Sequence, residues 1–406
     1  MTKVVSMFIL LCTLLMGVNA IIYAQVNEGA ESLHAYKAND GYEPQVLEII
    51  EALQAGKLDL ALKIADAHLT NFPKSQIGHL LRADILQGMA TGLTDIGAQS
   101  ALPESNLNGL KHQLKNRFLH KAHAQNDRHK QIPASLVALG QHDYVLVADM
   151  LYGRLYVYKN VNGDPLLVRD YYVSVGSEGF GKQVEGDNKT PVGVYKFNDF
   201  IEGKKLPDLY GKGAFPVNYP NRFDRYLKRT GYGIWLHGTP SDTYARSPWA
   251  SEGCFVLSND DLLDIGQYIN VEQGTPVVLS DGIEWLDISE LKERRSSYLA
   301  VIEKWRKDWE SLDIDAMVAH YAQQDFNFGK GSFETWKKRK TEINSSKVFV
   351  QVQLEIESLF SYPGKDDMFV VNFRQNYLSN NFSSAANKMQ YWKRGEDGSW
   401  KILYEG

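Results

Sequence analysis

Apolar residues recur at steps of three and four through PQVLEIIEALQAGKLDLALKIADAHLTNFPKSQIGHLLRADILQGM, with Gly56 and Pro73 as breaks. That spacing predicts helices from residue 44 to about residue 132. From Asp143 the period shortens to two. DYVLVADMLYGRLYVYKN predicts two strands joined by a turn near Leu151–Gly153, and PLLVRDYYVSVGSEG predicts a third. GVYKFNDF, GIWLHG and GTPVVLS carry the strand pattern to Ser280, with glycines clustered in the connections. The helical period returns in DISELKERRSSYLAVIEKWRKDWESLDIDAMVAHYAQ. Four strand-like runs follow: KVFVQVQLEIESLFSY, DMFVVNFRQNYLS, ANKMQYWKR and SWKILYEG. Helices first and a meander afterwards predict an α+β unit. The expected fold class is therefore multidomain α+β: a helical region over 25–135, a β-rich domain over 140–282 and an α+β domain over 293–406. No low-complexity linker separates the three, so they are expected to pack closely.

The N-terminus changes the picture. Lys3 precedes an apolar stretch from Val4 to Gly17 and then small-residue ends, VNA and IYA, suited to cleavage. This predicts a secretory signal peptide over 1–24, an uncleaved inner-membrane anchor being the alternative. Cys12 lies mid-stretch without small residues before it, which argues against lipoprotein processing. Once the signal is removed, Cys254 is the only cysteine left, in a chain bound for a compartment that oxidises thiols. A single cysteine there is an intermolecular bridge or a reactive thiol. The net charge of −5 argues against a nucleic-acid partner, which wants a basic surface.

Cys254 sits in SEGCFVLSNDD, and His237 ends the apolar run GIWLHG upstream. A free thiol titrates near 8.5, so a nucleophilic cysteine is usually activated by a neighbouring imidazole. Gly253 permits a tight backbone approach at that point, and the Gly253 and Cys254 N–H groups become candidate oxyanion donors. Spacing alone leaves a buried cysteine and an unrelated histidine open. The His and Cys spacing matches no zinc pattern, and no metal or cofactor is expected.

Residues 143–280 resemble the YkuD-type catalytic domain of L,D-transpeptidases. VLVADMLYGRLYVYKN resembles that family's opening hairpin. KQVEGDNKTPVGVYKF, from Lys182 to Phe197, resembles its E-G-D-x-x-T-P-x-G-x-Y signature, and a histidine followed at a distance by Ser-x-Gly-Cys completes the order. The resemblance implies Cys254 as nucleophile, His237 as general base and acid, and the Gly238 backbone carbonyl as the group orienting His237. It leaves Glu185, Gly186, Asp187, Thr190, Pro191 and Gly193 to shape the cleft. Ser251, Arg246 and Glu252 are candidate substrate contacts, Arg246 because its fork suits a stem carboxylate. Tyr219, Phe223, Tyr232, Trp235 and Trp249 are candidates for lining the groove, with core packing as the competing assignment. The sequence departs from the commonest family pattern at Glu252, where that pattern has histidine, and at Phe255-Val256 after the cysteine. The S-x-G-C-[FY] form resembles the YafK-like branch.

The activity this implies is L,D-transpeptidation of peptidoglycan stem peptides through a cysteine thioester, in the periplasm of a Gram-negative source. The alternatives are a hydrolase of the same fold, releasing a wall-attached lipoprotein or trimming stems, and a catalytically inactive wall-binding scaffold. The helical region resembles one tetratricopeptide-type hairpin. Residues 293–406 resemble a SnoaL-like cone, on WRKDWESLDIDAMVAHYAQQDF, FETWKKRK and the closing WKILYEG. Both flanking regions are candidate docking sites for an outer-membrane lipoprotein or other envelope proteins. An Asp313, Asp315 and His320 site in the cone is the less favoured assignment, since these residues fall along one helix and its start.

Overall fold

The computed structural model describes residues 41–92, 95–98, 100–124, 131–326, 332–365 and 367–406. The expected signal segment, 1–24, lies outside the described residues, among which no helix is long and apolar enough to cross a membrane. Four helices come first: α1 (Tyr42–Gln54), α2 (Leu58–Asn71), α3 (Gln76–Thr91) and α4 (Glu104–Ala124). They enclose a core of Val46, Ile49, Ala61, Ala65, Leu81, Ile85, Leu110 and Leu114. Ser75 caps α3 by accepting from the Gly78 N–H, which is the helix start that the NFPKS stretch announces.

The central domain is built on a five-stranded sheet in the order β4-β3-β2-β12-β6, from β2 (Tyr144–Asp149), β3 (Arg154–Val161), β4 (Asp164–Tyr172), β6 (Gly193–Lys196) and β12 (Pro276–Ser280). Its central strands are buried on both faces. Leu146, Ala148, Val277 and Leu279 point into one core, and Val145, Val147 and Val278 into another. Two-sided burial explains why YVLVAD and PVVLS are nearly continuous apolar runs rather than alternating ones. The first core lies against a second sheet, ordered β11-β9-β8-β7, from β7 (Ile201–Glu202), β8 (Gly213–Pro216), β9 (Trp235–His237) and β11 (Phe255–Val256). Leu236 and Phe255 face that core, which leaves their strand neighbours on the opposite face. Two short strand pairs, β1 (Ile132–Pro133) with β13 (Trp285–Leu286) and β5 (Val175–Gly176) with β10 (Trp249–Ser251), and the helix α6 (Asn259–Ile265) complete the domain.

The other core is shared with the C-terminal domain, where α7 (Ile288–Glu310), α8 (Ile314–Val318) and α9 (Phe333–Ser345) pack on the antiparallel meander β14 (Val350–Ser361), β15 (Met368–Ser379), β16 (Phe382–Arg394) and β17 (Trp400–Glu405). Phe360, Tyr362, Tyr391 and Leu403 reach from this domain into the second core. The short helix α5 (Arg222–Tyr226) supplies Phe223, 2% exposed and stacked on Tyr391 at 3.8 Å. Phe223→Ala removes that ring from the shared core and is expected to lower unfolding stability by about 3–5 kcal/mol. Denaturant unfolding checks this; an unchanged midpoint contradicts the shared core.

Candidate active site

His237 is the last residue of β9 and is buried. Its Nδ1 lies 2.7 Å from the Gly238 carbonyl oxygen. A carbonyl only accepts, so Nδ1 carries the hydrogen and Nε2 is left as the acceptor. The strand β11 runs parallel to β9, with Phe255 opposite Leu236 and Val256 opposite His237. The Leu257 N–H continues the ladder to the His237 carbonyl at 2.9 Å. Extending that register places Cys254 beside Trp235, two positions from His237 and on the same face. The thiol is half-buried and donates to the Gly233 carbonyl at 3.3 Å.

Burial sets the protonation states of the pair. It pushes the Cys254 thiol up to about 11, with the Glu252 carboxylate adding to the rise. A hydrogen bond from the Trp235 backbone and the Arg246 and Lys182 cations oppose it. Burial also pulls His237 down to about 4, opposed by the Gly238 carbonyl and reinforced by Arg246. At neutral pH the pair is a neutral thiol beside a neutral imidazole. The thiolate must therefore be generated as it attacks, by proton transfer to Nε2. Glu252→Gln removes one contribution holding the thiol up. Alkylation of Cys254 by iodoacetamide at pH 8 is expected to quicken about two- to five-fold, and an unchanged rate contradicts the carboxylate's influence.

The turn before the cysteine uses its small residues differently from the sequence expectation. Ser251 is buried, its hydroxyl donates to the Cys254 carbonyl at 2.6 Å, and it accepts from the Gly253 N–H at 3.1 Å. Ser251 therefore closes the turn on itself. The Gly253 N–H, expected in the oxyanion hole, is already engaged. Gly253 itself is required: φ is +121°, and a Cβ there would lie 2.9 Å from the Lys189 carbonyl. That carbonyl belongs to the loop organised by Asp187, which accepts from the N–H groups of Gln183, Val184 and Lys189 and from the Lys182 ammonium at 2.7 Å. These bonds hold the Asp187 carboxyl down at about 2 even against burial. The E-G-D stretch thus shapes the wall against which the cysteine turn packs.

Arg246 is half-buried, and its Nη1 donates to the Ala250 carbonyl at 3.4 Å. Among the described residues no carboxylate forms an ion pair with it, although Cys254 and Glu252 lie within its electrostatic reach. Glu252 is exposed. Of the five candidate aromatics, Tyr219 and Phe223 are core. Tyr232 and Trp249 are exposed, at 76% and 42%, and Trp235 is half-buried beside the thiol. Sequence reasoning missed Tyr210, whose ring centre lies 5.0 Å from those of both His237 and Trp235. Its carbonyl accepts from the Gly238 N–H at 3.2 Å, and its phenol is raised by burial and by the nearby Cys254 and Glu252. The adjacent Gly211 is the one local signal: a Cβ there would meet the Thr239 carbonyl at 2.3 Å.

In the C-terminal domain the Asp313, Asp315 and His320 grouping dissolves. Asp313 caps α8, Asp315 pairs with Lys337 at 2.5 Å, and His320 Nε2 lies 2.6 Å from Asp308. No cluster of three or more metal-ligating side chains occurs among the described residues.

A thiol and an imidazole of fixed tautomer on adjacent parallel strands, behind an E-G-D loop, define a class of domain. Residues 143–279 match the family model of the L,D-transpeptidase catalytic domain, YkuD, and residues 297–406 match that of the Cds6 C-terminal NTF2-like domain. The chain thus carries an L,D-transpeptidase-type domain followed by an NTF2-like domain. Among solved structures it is similar to Bd1075 of Bdellovibrio bacteriovorus, at 28% identity and a TM-score of 0.59, over 68% of this chain and 97% of that one. It is also similar to the helical cell shape determining protein Pgp2 of Campylobacter jejuni, at 27% identity and a TM-score of 0.57, over 67% and 95% of the two chains. No curated protein matches the chain.

Proposed function

We propose that this chain is a cysteine acyltransferase acting on peptidoglycan stem peptides, with Cys254 as nucleophile and His237 as its base. The observation that carries this reading is the contact between His237 Nδ1 and the Gly238 carbonyl, which fixes the tautomer and leaves Nε2 as an acceptor on the strand beside the cysteine. Attack passes the thiol proton to Nε2 while sulfur bonds to the stem's carbonyl carbon. Collapse of the tetrahedral adduct expels the terminal residue's amine, which takes that proton, and leaves a thioester. An acceptor amine or a water then attacks the thioester, loses its proton through Nε2, and restores the thiol. Arg246 is the candidate for a stem carboxylate, since its guanidinium has no described acidic partner. The similarity to a cell shape determining protein supports a role in wall remodelling. The chain acts after export, and the NTF2-like domain serves as a binding or docking module.

Digestion of purified tetrapeptide muropeptides tests the reading. Loss of the terminal residue with new stem-to-stem dimers is the expected transpeptidase result. Loss without dimers assigns hydrolysis at the same cysteine. No change in either contradicts the proposal and favours a wall-binding scaffold.

A further inference from the structure

The segment from Thr239 to Ala250 joins His237 to the cysteine turn and carries Arg246, yet much of its support comes from the N-terminal helices. The Tyr244 ring stacks on Tyr42 of α1 at 3.9 Å and 14°, and meets Phe72, which caps α2, edge-on at 5.1 Å. The Lys74 ammonium donates to the Ser241 carbonyl at 2.6 Å. Ser247 lies so close to α4 that a Cβ on Gly109 would fall 2.2 Å from its hydroxyl. His112 of the same helix meets Trp249 edge-on at 5.5 Å. From the central domain, the Tyr172 hydroxyl donates to the Arg246 carbonyl at 2.9 Å, and Val175 N–H donates to the Pro248 carbonyl at 2.7 Å. The Tyr172 ring is itself covered by the Arg117 guanidinium of α4 at 3.8 Å.

The helices are in turn fastened to the central sheet. Arg154 of β3 pairs with Glu43 of α1 and with Asp170 of β4, and His120 of α4 reaches the same Asp170 at 2.8 Å. Arg117 and Arg154 are almost fully buried, so this anchor is an ion-pair network and not a loose contact. A loop this short in regular structure would otherwise pay ordering entropy each time a ligand fixed it. Contacts from α1, the end of α2, the α2–α3 connection and α4 remove that cost beforehand.

We propose that the helical module is a working part of the substrate site: through Tyr42, Tyr244 and Lys74 it holds the 239–250 segment and with it Arg246, whose Nη1 reaches the Ala250 carbonyl at the entry to the cysteine turn, ready for a carboxylate-bearing peptide stem. Tyr42, Tyr244 and Lys74 are positioning residues acting through Arg246. The inference rests on the proposed assignment of Arg246 to the stem carboxylate. It does not depend on which acceptor resolves the thioester.

The test uses full-length protein carrying Cys254→Ala, so that binding is read without turnover. Calorimetry measures Kd for a tetrapeptide stem and for the same stem with its terminal carboxylate amidated. Tyr244→Ala is expected to weaken the free-carboxylate stem about five-fold, leaving the amidated stem within two-fold. Tyr244→Phe, which keeps the ring, is expected to bind like the parent. Lys74→Met, an exposed change that spares the helical core, is expected to weaken the free-carboxylate stem about two-fold. Equal losses for both stems, no loss with either variant, a Tyr244→Phe as weak as Tyr244→Ala, or no binding of either stem overturns the inference. Failure of the proposed chemistry shows separately, as wild-type protein that binds the stem without turning it over.

Discussion

Cys254→Ala is expected to remove all release of the stem's terminal residue, a loss on the order of 10⁴-fold or more in kcat. The thiol is half-buried, next to a turn closed by Ser251. No other cysteine occurs among the described residues to substitute for it. Product analysis on muropeptides reads the loss directly. The fold should tolerate the change, because the bond the thiol donates goes to the Gly233 carbonyl, an acceptor near the surface that water can reach. Residual turnover within tenfold of wild type contradicts the nucleophile assignment.

His237→Gln is expected to cost about 10²–10⁴-fold at pH 7, the usual contribution of a positioned base. Its pH profile is the sharper signature. With the imidazole held down to about 4, wild-type kcat/KM should stay flat through the range where an ordinary histidine titrates, and fall only toward pH 4. The variant must use thiolate formed without a base. Since Cys254 is pushed up to about 11, its rate should climb about tenfold per pH unit up to that value. Stability carries the same sign. A histidine neutral when folded and ordinary when unfolded stabilises the fold above about pH 6.5, and that contribution is lost as pH falls toward about 4. A wild-type profile with an acid limb near 6.5 contradicts this account of the site.

Most of the architecture was legible in the sequence because its periods are clean. The start of β14 alternates as a half-buried strand should, with Val350 and Val352 buried and Gln351 and Gln353 exposed, and the helix α7 keeps Leu291, Tyr298, Ile302 and Trp305 on one buried face. The last helix of the N-terminal module was less defined for a physical reason. Beside Leu110 and Leu114, α4 buries Gln113, Asn116 and Arg117, so the face it presents inward is partly polar. No periodicity of apolar residues marks such a face. The clamp on Tyr244 was invisible because it pairs residues far apart in the sequence, Tyr42 with Tyr244.

At the site, the order of motifs placed Cys254, His237 and Gly238, but local pattern was silent on direction. A serine and a glycine in a tight turn look alike whether they face a substrate or each other. In the folded turn the Gly253 N–H donates to the Ser251 hydroxyl, so the two face each other. Tyr210 carries no motif of its own and reaches His237 through the pairing of separate strands. Glu252, by contrast, acts in the direction its charge implies. It is exposed beside the thiol and contributes to the raised Cys254 pKa.

The central claim is that Cys254 forms a covalent acyl intermediate. Intact-mass measurement after brief exposure to a carbapenem tests it most directly, because the strained β-lactam carbonyl traps an active nucleophile as an ester of its sulfur. The account predicts one added drug mass on wild-type protein, mapped to Cys254, slowed in His237→Gln and absent in Cys254→Ala. Wild-type protein left unmodified, or an adduct that persists in Cys254→Ala, would contradict it.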